Sequence, residues 1–103
     1  MGIIHQLFAD PGPTTALTST NSPQAIPAAV LNNGTKPVKR VIATVETNTV
    51  RIGFGGVTVS TSLGHPIYPG DTFILDSYKQ ANELRVISAV SGVHGVIQFT
   101  GEH

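Results

Sequence analysis

Histidines are the residues of this chain best suited to bind a metal or to transfer a proton. There are four, His5, His65, His94 and His103. A protein zinc site usually takes two of its ligands from positions about three to five residues apart. No two of these histidines are that close, and the chain has no cysteine to supply a thiolate ligand or nucleophile. We therefore expect histidines in solvent-facing loops, with no metal site and no cofactor.

The glycine-rich stretch "GFGG" at residues 53–56 has the composition of a phosphate-binding loop. Such a loop leads from a strand into a helix, whose first N–H groups then face the anion. Here it leads into "VTVSTS" at 57–62, which is β-branched and a poor helix former. The stretch therefore predicts the turn of a β-hairpin, with a strand at 57–61.

Hydroxyl and carboxylate groups are present, but not in a catalytic arrangement. A serine nucleophile needs an activating base and a sharp turn of the G-x-S-x-G type, and the sequence has no such turn. Asp71 and Asp76 are five residues apart, which places them on opposite faces of a regular strand. Asp71, in "PGD", is better explained as a turn residue that accepts a bond from nearby backbone. We expect no catalytic residue and no enzymatic activity.

Charge is the next constraint on function. The chain of 103 residues carries six Lys and Arg against six Asp and Glu, so its formal net charge is zero. So few basic residues cannot neutralise many phosphates, which argues against a nucleic-acid partner. No apolar run reaches the length of a membrane-spanning helix, so no membrane partner is expected. A surface this poor in charge is weakly protected against self-association and suits a subunit that packs against other subunits.

The elements that must position these residues are short strands separated by frequent turns. The only candidate helix is "SYKQANELR" at 77–85, which Ser77 could cap. This pattern predicts an all-β fold, an antiparallel β-sandwich or small barrel of jelly-roll-like form. Phe54, Phe73 and Phe99 fall on its predicted core faces. The predicted strands of the body, besides 57–61, are residues 38–46, 49–54, 72–76, 83–90 and 96–100.

Residues 1–37 differ from the rest of the chain in composition. They hold five of the seven prolines and two charged residues, Asp10 and Lys36. We predict an extended, proline-rich N-terminal arm over 1–37 and a β-sandwich body over 38–103. Short strands are possible at Thr14–Thr20 and Gln24–Val30, where proline favours a sheet edge, and "NNGTKP" at 32–37 predicts a turn.

The body also resembles a known class of protein. The stretch "NTVRIGFGG…TSLGHPIYPGDTFILDSYKQANELRVISAVSGVHGVIQFT" is similar to small all-β virion structural proteins of tailed bacteriophages. The similar features are a "VRI-F-G" strand, a Thr/Ser-rich link into "LGH", "PGD" before a strand, "ANELRVI" and a final strand. The resemblance covers about Thr47 to Thr100, and residues 1–37 match no such pattern.

The resemblance implies a capsid decoration (cement) subunit on the virion surface. Its partners would be the major capsid protein and further copies of itself, as a trimer. The arm would pack on a neighbouring subunit or on the capsid rather than on its own body. Two alternatives stay open, another virion part (a tail, neck or fibre subunit) and a ligand- or carbohydrate-binding β-sandwich module. The arm residues expected to contact a partner are Ile3, Ile4, Leu7, Phe8, Leu17 and Ile26.

Overall fold

The structure, a computed structural model, describes residues 11–54 and 63–103. This part of the chain is mostly β, with antiparallel sheets of four, three and two strands and two short helices. Its sheets form no closed barrel, so of the two predicted architectures the barrel is not adopted by the described residues. The predicted antiparallel β fold is confirmed.

Nine strands and two helices are assigned within the described residues. In chain order they are β1 (Pro11–Thr18), α1 (Ala28–Leu31), β2 (Asn32–Asn33), β3 (Lys36–Pro37), β4 (Arg40–Thr47), β5 (Val50–Gly53), β6 (His65–Ile67), β7 (Thr72–Leu75), α2 (Tyr78–Glu83), β8 (Arg85–Ser88) and β9 (Val96–Glu102).

The strand order shows how distant parts of the chain are brought together. The four-stranded sheet has the order β1-β9-β4-β7, so the first and last strands of the described chain are neighbours. The three-stranded sheet has the order β6-β5-β8, and β2 and β3 form a small hairpin. That hairpin turns at Gly34, whose φ of 64° lies in the left-handed region that favours glycine, as "NNGTKP" predicted. The strand predicted at 57–61 lies outside the described residues.

Both larger sheets contribute to one hydrophobic core. Alternate residues of β4 (Val41, Ala43 and Val45) are buried in it, as period-two strand geometry requires. Of the three phenylalanines predicted to face the core, Phe99 is fully buried and Phe73 packs on the core while partly buried. Phe54 is 38% exposed, so its predicted core position is wrong. It lies one residue beyond the end of β5, where strand alternation no longer sets its direction.

The N-terminal segment, residues 11–37, packs on the rest of its own chain. β1 pairs with β9 from Thr14↔Thr100 to Thr18↔Val96, and Gln24 forms an antiparallel bridge with Val86. The expectation of an arm that extends away from its own body is therefore wrong for these residues. Prolines suit the sheet edge that β1 occupies, and apolar side chains gain about 1.5–3 kcal/mol each when they are buried.

The two helices are short, with four residues in α1 and six in α2. α2 begins after Ser77, whose side-chain oxygen accepts a bond from Gln80 N at 3.2 Å, so the predicted helix and its cap are confirmed. α1 was not expected, because residues 24–30 read as a possible strand. It follows Pro27, and its sequence "AAVL" contains two of the strongest helix formers, alanine and leucine. Its Val30 is fully buried.

Candidate functional site

The histidines within the described residues lie at three separate places in the fold. His65 is exposed on β6 and His94 is exposed in the turn before β9. His103 follows β9 and is only 5% exposed, and its Nε2 lies 2.8 Å from the carbonyl oxygen of Val30. The expectation that every histidine faces solvent is therefore wrong for His103. Across residues 11–54 and 63–103, no three His, Cys, Asp or Glu residues are placed to hold a metal ion.

A buried hydroxyl cluster is the feature closest to catalytic chemistry, and sequence reasoning missed it. Ser88 Oγ lies 2.9 Å from His94 Nδ1 and 2.8 Å from Ser19 Oγ. Gly95 N donates to Ser19 Oγ at 2.7 Å. A serine in contact with a histidine is the first part of an activated nucleophile. Both serines are 0% exposed, however, so no substrate reaches Ser88 in this conformation.

The hydroxyl cluster instead joins three distant segments of the chain. Ser19 follows β1, Ser88 ends β8 and His94 precedes β9. Backbone bonds reinforce the junction, because Ser19 N donates to Gly95 O and Ser88 N donates to Thr20 O. No local sequence pattern could have predicted a contact between side chains 69 residues apart. The cluster holds the N-terminal segment in place.

Asp71 has the turn role that its sequence context predicted. Its Oδ2 accepts a bond from Tyr68 N at 3.0 Å, and its own N–H donates to Tyr68 O. Asp76 lies beyond the other end of β7, where its N–H donates to Gln80 Oε1. The two carboxylates therefore flank one short strand, and neither is positioned with the other for acid–base chemistry.

The residues predicted to contact a partner have different outcomes. Ile26 is 3% exposed in the core of its own chain, so its predicted role as a partner contact is wrong. Leu17 packs against the same core but is partly buried, because β1 is an edge strand. Ile3, Ile4, Leu7 and Phe8 lie outside the described residues.

The side of the four-stranded sheet that faces away from the core is named here the outer face. Its residues are recognised by alternation, because their neighbours along each strand point into the core. Sheet register then places them in rows across the strands. The outer face comprises Thr14, Ala16, Thr18, Arg40, Ile42, Thr44, Glu46, Thr72, Ile74, Val96, Gln98, Thr100 and Glu102.

Threonine hydroxyls on the outer face bond to one another across strands. Thr14 Oγ1 lies 2.6 Å from Thr100 Oγ1, and Thr44 Oγ1 lies 3.0 Å from Thr72 Oγ1. Beside them, Ile74 is directly opposite Ile42 and is 45% exposed. Cross-strand pairs of this kind fix β-branched side chains in one arrangement. The two rows of the outer face that contain these residues are therefore uncharged and partly apolar.

The charges on the outer face are found in pairs with neighbours. Arg40 Nη2 contacts Glu102 Oε1 at 2.6 Å, and Arg40 Nε donates to the same oxygen at 2.9 Å. Glu46 Oε1 accepts a bond from Gln98 Nε2 at 2.6 Å. Because the ion pair is internally neutral, the outer face has little net charge with which to attract nucleic acid.

The exposed aromatic side chains of the described residues, Phe54, Tyr68 and Tyr78, lie on different elements or at opposite ends of one strand. Tyr68 is 56% exposed just beyond β6, next to the first residue of β5, whereas Phe54 follows the last residue of β5. Four residues of strand separate these two ends by about 13 Å. Tyr78 begins α2, beyond β7. Phe54 and Tyr68 therefore do not share one stacking platform.

Comparison with known proteins returned no match: no family model, no curated protein and no solved structure matches the chain. Within the described residues, no helix has the length and apolar character needed to cross a membrane.

Proposed function

We propose that this protein is a virion structural protein, a capsid decoration (cement) subunit that binds the outer capsid surface and stabilises the shell. The observation that carries the proposal is the outer face of the four-stranded sheet, whose middle rows are uncharged and whose charged residues lie towards its two ends. The resemblance of residues 47–100 to small virion proteins supplies the partner, the major capsid protein, and the location, the capsid surface.

The two middle rows of the outer face have the composition of the centre of a binding surface. Protein interfaces are not distinguished by bulk hydrophobicity, but their centres are depleted of charged residues. Here Ile74, the bonded threonine pairs and Ile42, which is only 8% exposed, form uncharged rows across the sheet, while Arg40 and Glu102 pair at one end. Side chains already fixed by cross-strand bonds lose little further entropy when a partner binds.

The finer architecture and assembly belong to the same proposal. The two larger sheets share one core, which supports a jelly-roll-like β-sandwich in which they pack face to face. The trimer that the resemblance implies stays a prediction, as does a capsid contact made by Ile3, Ile4, Leu7 and Phe8.

The test uses shells of a phage whose structural genes encode this chain, prepared with the gene for the chain deleted. The purified protein is added back, and its binding is measured by co-sedimentation. We expect saturable binding and a higher temperature of shell disruption. Ile74→Glu places an unpaired charge in an uncharged row of the outer face, on the edge strand β7, and should weaken binding on the order of tenfold or more.

Val90→Glu is the matched control, because it puts the same charge on an exposed aliphatic position elsewhere. Val90 is 58% exposed in the turn after β8. This variant should bind shells as the unmodified chain does. Equal weakening by both substitutions would contradict a role for the outer face, and no binding to shells by the unmodified chain would contradict the decoration function.

Two alternatives give different results in the same experiment. A tail, neck or fibre subunit would bind tail or neck assemblies and leave shells bare. A carbohydrate-binding module needs aromatic rings that share a platform, and the separation of Phe54 and Tyr68 does not favour one. Glycan binding that is lost in Tyr68→Ala would support the module in place of the capsid subunit.

A further inference from the structure

Among residues 11–54 and 63–103, the four-stranded sheet ends in a strand whose outer edge has no strand partner over three residues. β1 is at the end of the order β1-β9-β4-β7, and no other described strand pairs with its second edge. Ser19 N donates to Gly95 O, just before β9. Because the backbone groups of a strand point to alternate sides along the chain, Leu17 and Thr15 also direct theirs towards β9. The intervening residues Thr14, Ala16 and Thr18 therefore direct their N–H and C=O groups towards the open edge.

The open edge ends where the chain meets the second sheet. Thr20 O accepts a bond from Ser88 N, and Gln24 exchanges two backbone bonds with Val86. The segment after Thr18 thus has its outer backbone groups used by β8, while the segment before it does not. The unpaired edge is confined to residues 14–18, which contain neither charge nor proline.

Two further edges of the larger sheets, β6 and β7, have no strand partner in the described part of the chain, and both carry features that oppose strand addition. At β6, the outward residue is Pro66. Thr49 O accepts a bond from Ala89 N, so Thr49 and Arg51 direct their backbone groups to β8. Pro66, which is paired with Arg51, therefore directs its nitrogen away from β5. Proline has no N–H to donate there.

At β7, only Thr72 and Ile74 direct backbone groups outward, between Asp71 and Asp76. Two β7 strands paired antiparallel about Phe73 or Ile74 would bring Asp71 of one copy within about one residue of Asp76 of the other. A short edge strand flanked by charged side chains is protected against pairing with another edge.

We propose that the open edge of β1 pairs antiparallel with β1 of a second copy of this chain, about a two-fold axis at Ala16. This contact joins the two four-stranded sheets into one of eight strands. Ala16 lies opposite Ala16, and Thr14 lies opposite Thr18, so no charges face one another. The three outward residues of each copy form about six backbone hydrogen bonds. The contact also covers Leu17, which is only partly buried in the single chain.

Cysteine cross-linking tests the pairing directly, because the chain has no cysteine of its own. Residues opposite in a hydrogen-bonded antiparallel pair have Cα atoms about 5.5 Å apart, which a disulfide spans. Mild oxidation of purified Ala16→Cys should give a covalent dimer at least about tenfold faster than Ile74→Cys, which is on the other edge strand. Thr14→Cys should link to Thr18→Cys in a mixture, and each alone should link poorly.

A second set of variants tests the same contact without a cross-link. Ala16→Pro removes the outward N–H while leaving the bonds between β1 and β9, so it should weaken self-association on the order of tenfold, whereas Ala16→Ser should not. Ala16→Lys places like charges opposite each other and should also weaken it. The double variant Thr14→Lys, Thr18→Glu brings a positive charge of one copy face to face with a negative charge of the other. It should preserve self-association.

Two results would overturn the proposal. One is an Ala16→Cys chain that cross-links no faster than Ile74→Cys. The other is sedimentation in which Ala16→Lys leaves self-association unchanged. The measurements need no shells, so their failure would leave the proposed capsid binding untouched, and a failure of capsid binding would leave this contact untouched.

Discussion

Residues 11–37 and residues 38–103 differ in composition but are stabilised by the same core. The first region is rich in proline and has Lys36 as its one charged residue, whereas the second holds most of the described strands and nearly all the charge. Ile26 and Val30 of the first region are as deeply buried as Val41 and Phe99 of the second. The difference teaches that proline and low charge here mark an edge strand and an irregular covering segment, rather than an arm free of its own domain.

Deleting residues 1–30 should have the largest effect on this comparison. The deletion removes the strand that pairs with β9, the buried side chains of Ile26 and Val30, and Ser19 from the hydroxyl cluster. We expect loss of the cooperative urea transition measured by circular dichroism. Deleting residues 1–10 is the control, since it leaves the described contacts in place. A 1–30 deletion that unfolds at the original midpoint would show that the two regions are independent.

Ile26→Ala should have the next largest effect. Ile26 is 3% exposed, and removing most of a buried isoleucine typically costs about 2–5 kcal/mol in the free energy of unfolding. Leu17→Ala makes a similar truncation at a partly buried edge position and should cost clearly less. Urea titration of both variants checks the order. Equal and small losses would mean that the N-terminal segment does not contribute to the core.

Gly101→Ala tests a close approach between the two regions. A Cβ at Gly101 would lie 2.9 Å from the carbonyl oxygen of Val30 and 2.7 Å from Val38 Cγ2, so α1 or β9 must shift. Overpacking of this kind typically costs about 1–3 kcal/mol. Gly95→Ala is the comparison within the second region, with a Cβ 2.7 Å from Thr47 O. If only Gly95→Ala lowers the free energy of unfolding, the contact of α1 with β9 is not formed.

Ser19→Ala should have the smallest effect of the series. It leaves the buried N–H of Gly95 without its acceptor, while Ser88 keeps its contact with His94. We expect a loss of about 1–2 kcal/mol in the free energy of unfolding. Thr14→Val removes an exposed hydroxyl pair on the outer face and should change it by no more than about 0.5 kcal/mol. If Thr14→Val lowered the free energy of unfolding more than Ser19→Ala, the hydroxyl cluster would be exposed to solvent and not buried.

Local patterns in the sequence predicted the fold well where one segment determines its own structure. The turn at Gly34, the helix cap at Ser77 and the turn role of Asp71 were all readable from a few adjacent residues. The alternation of β9 likewise placed Ile97 and Phe99 together on the core side.

What the sequence could not supply were contacts between distant segments. The pairing of β1 with β9 joins the two ends of the described chain, and the hydroxyl cluster joins side chains 69 residues apart. Local propensity carries no information about such partners, so residues 11–37 were predicted to pack elsewhere. The outer face became recognisable only once register placed Thr14 beside Thr100 and Thr44 beside Thr72.

Native-state hydrogen exchange tests most directly whether residues 11–37 belong to the folded domain. The backbone N–H groups of Ser19 and Gln24 donate to Gly95 O and Val86 O, at 2.8 Å in both bonds. If the two regions unfold together, these amides exchange with the same free energy of opening as the amides of β4 and β9. Rapid exchange of Ser19 and Gln24, while β4 and β9 stay protected, would contradict the account.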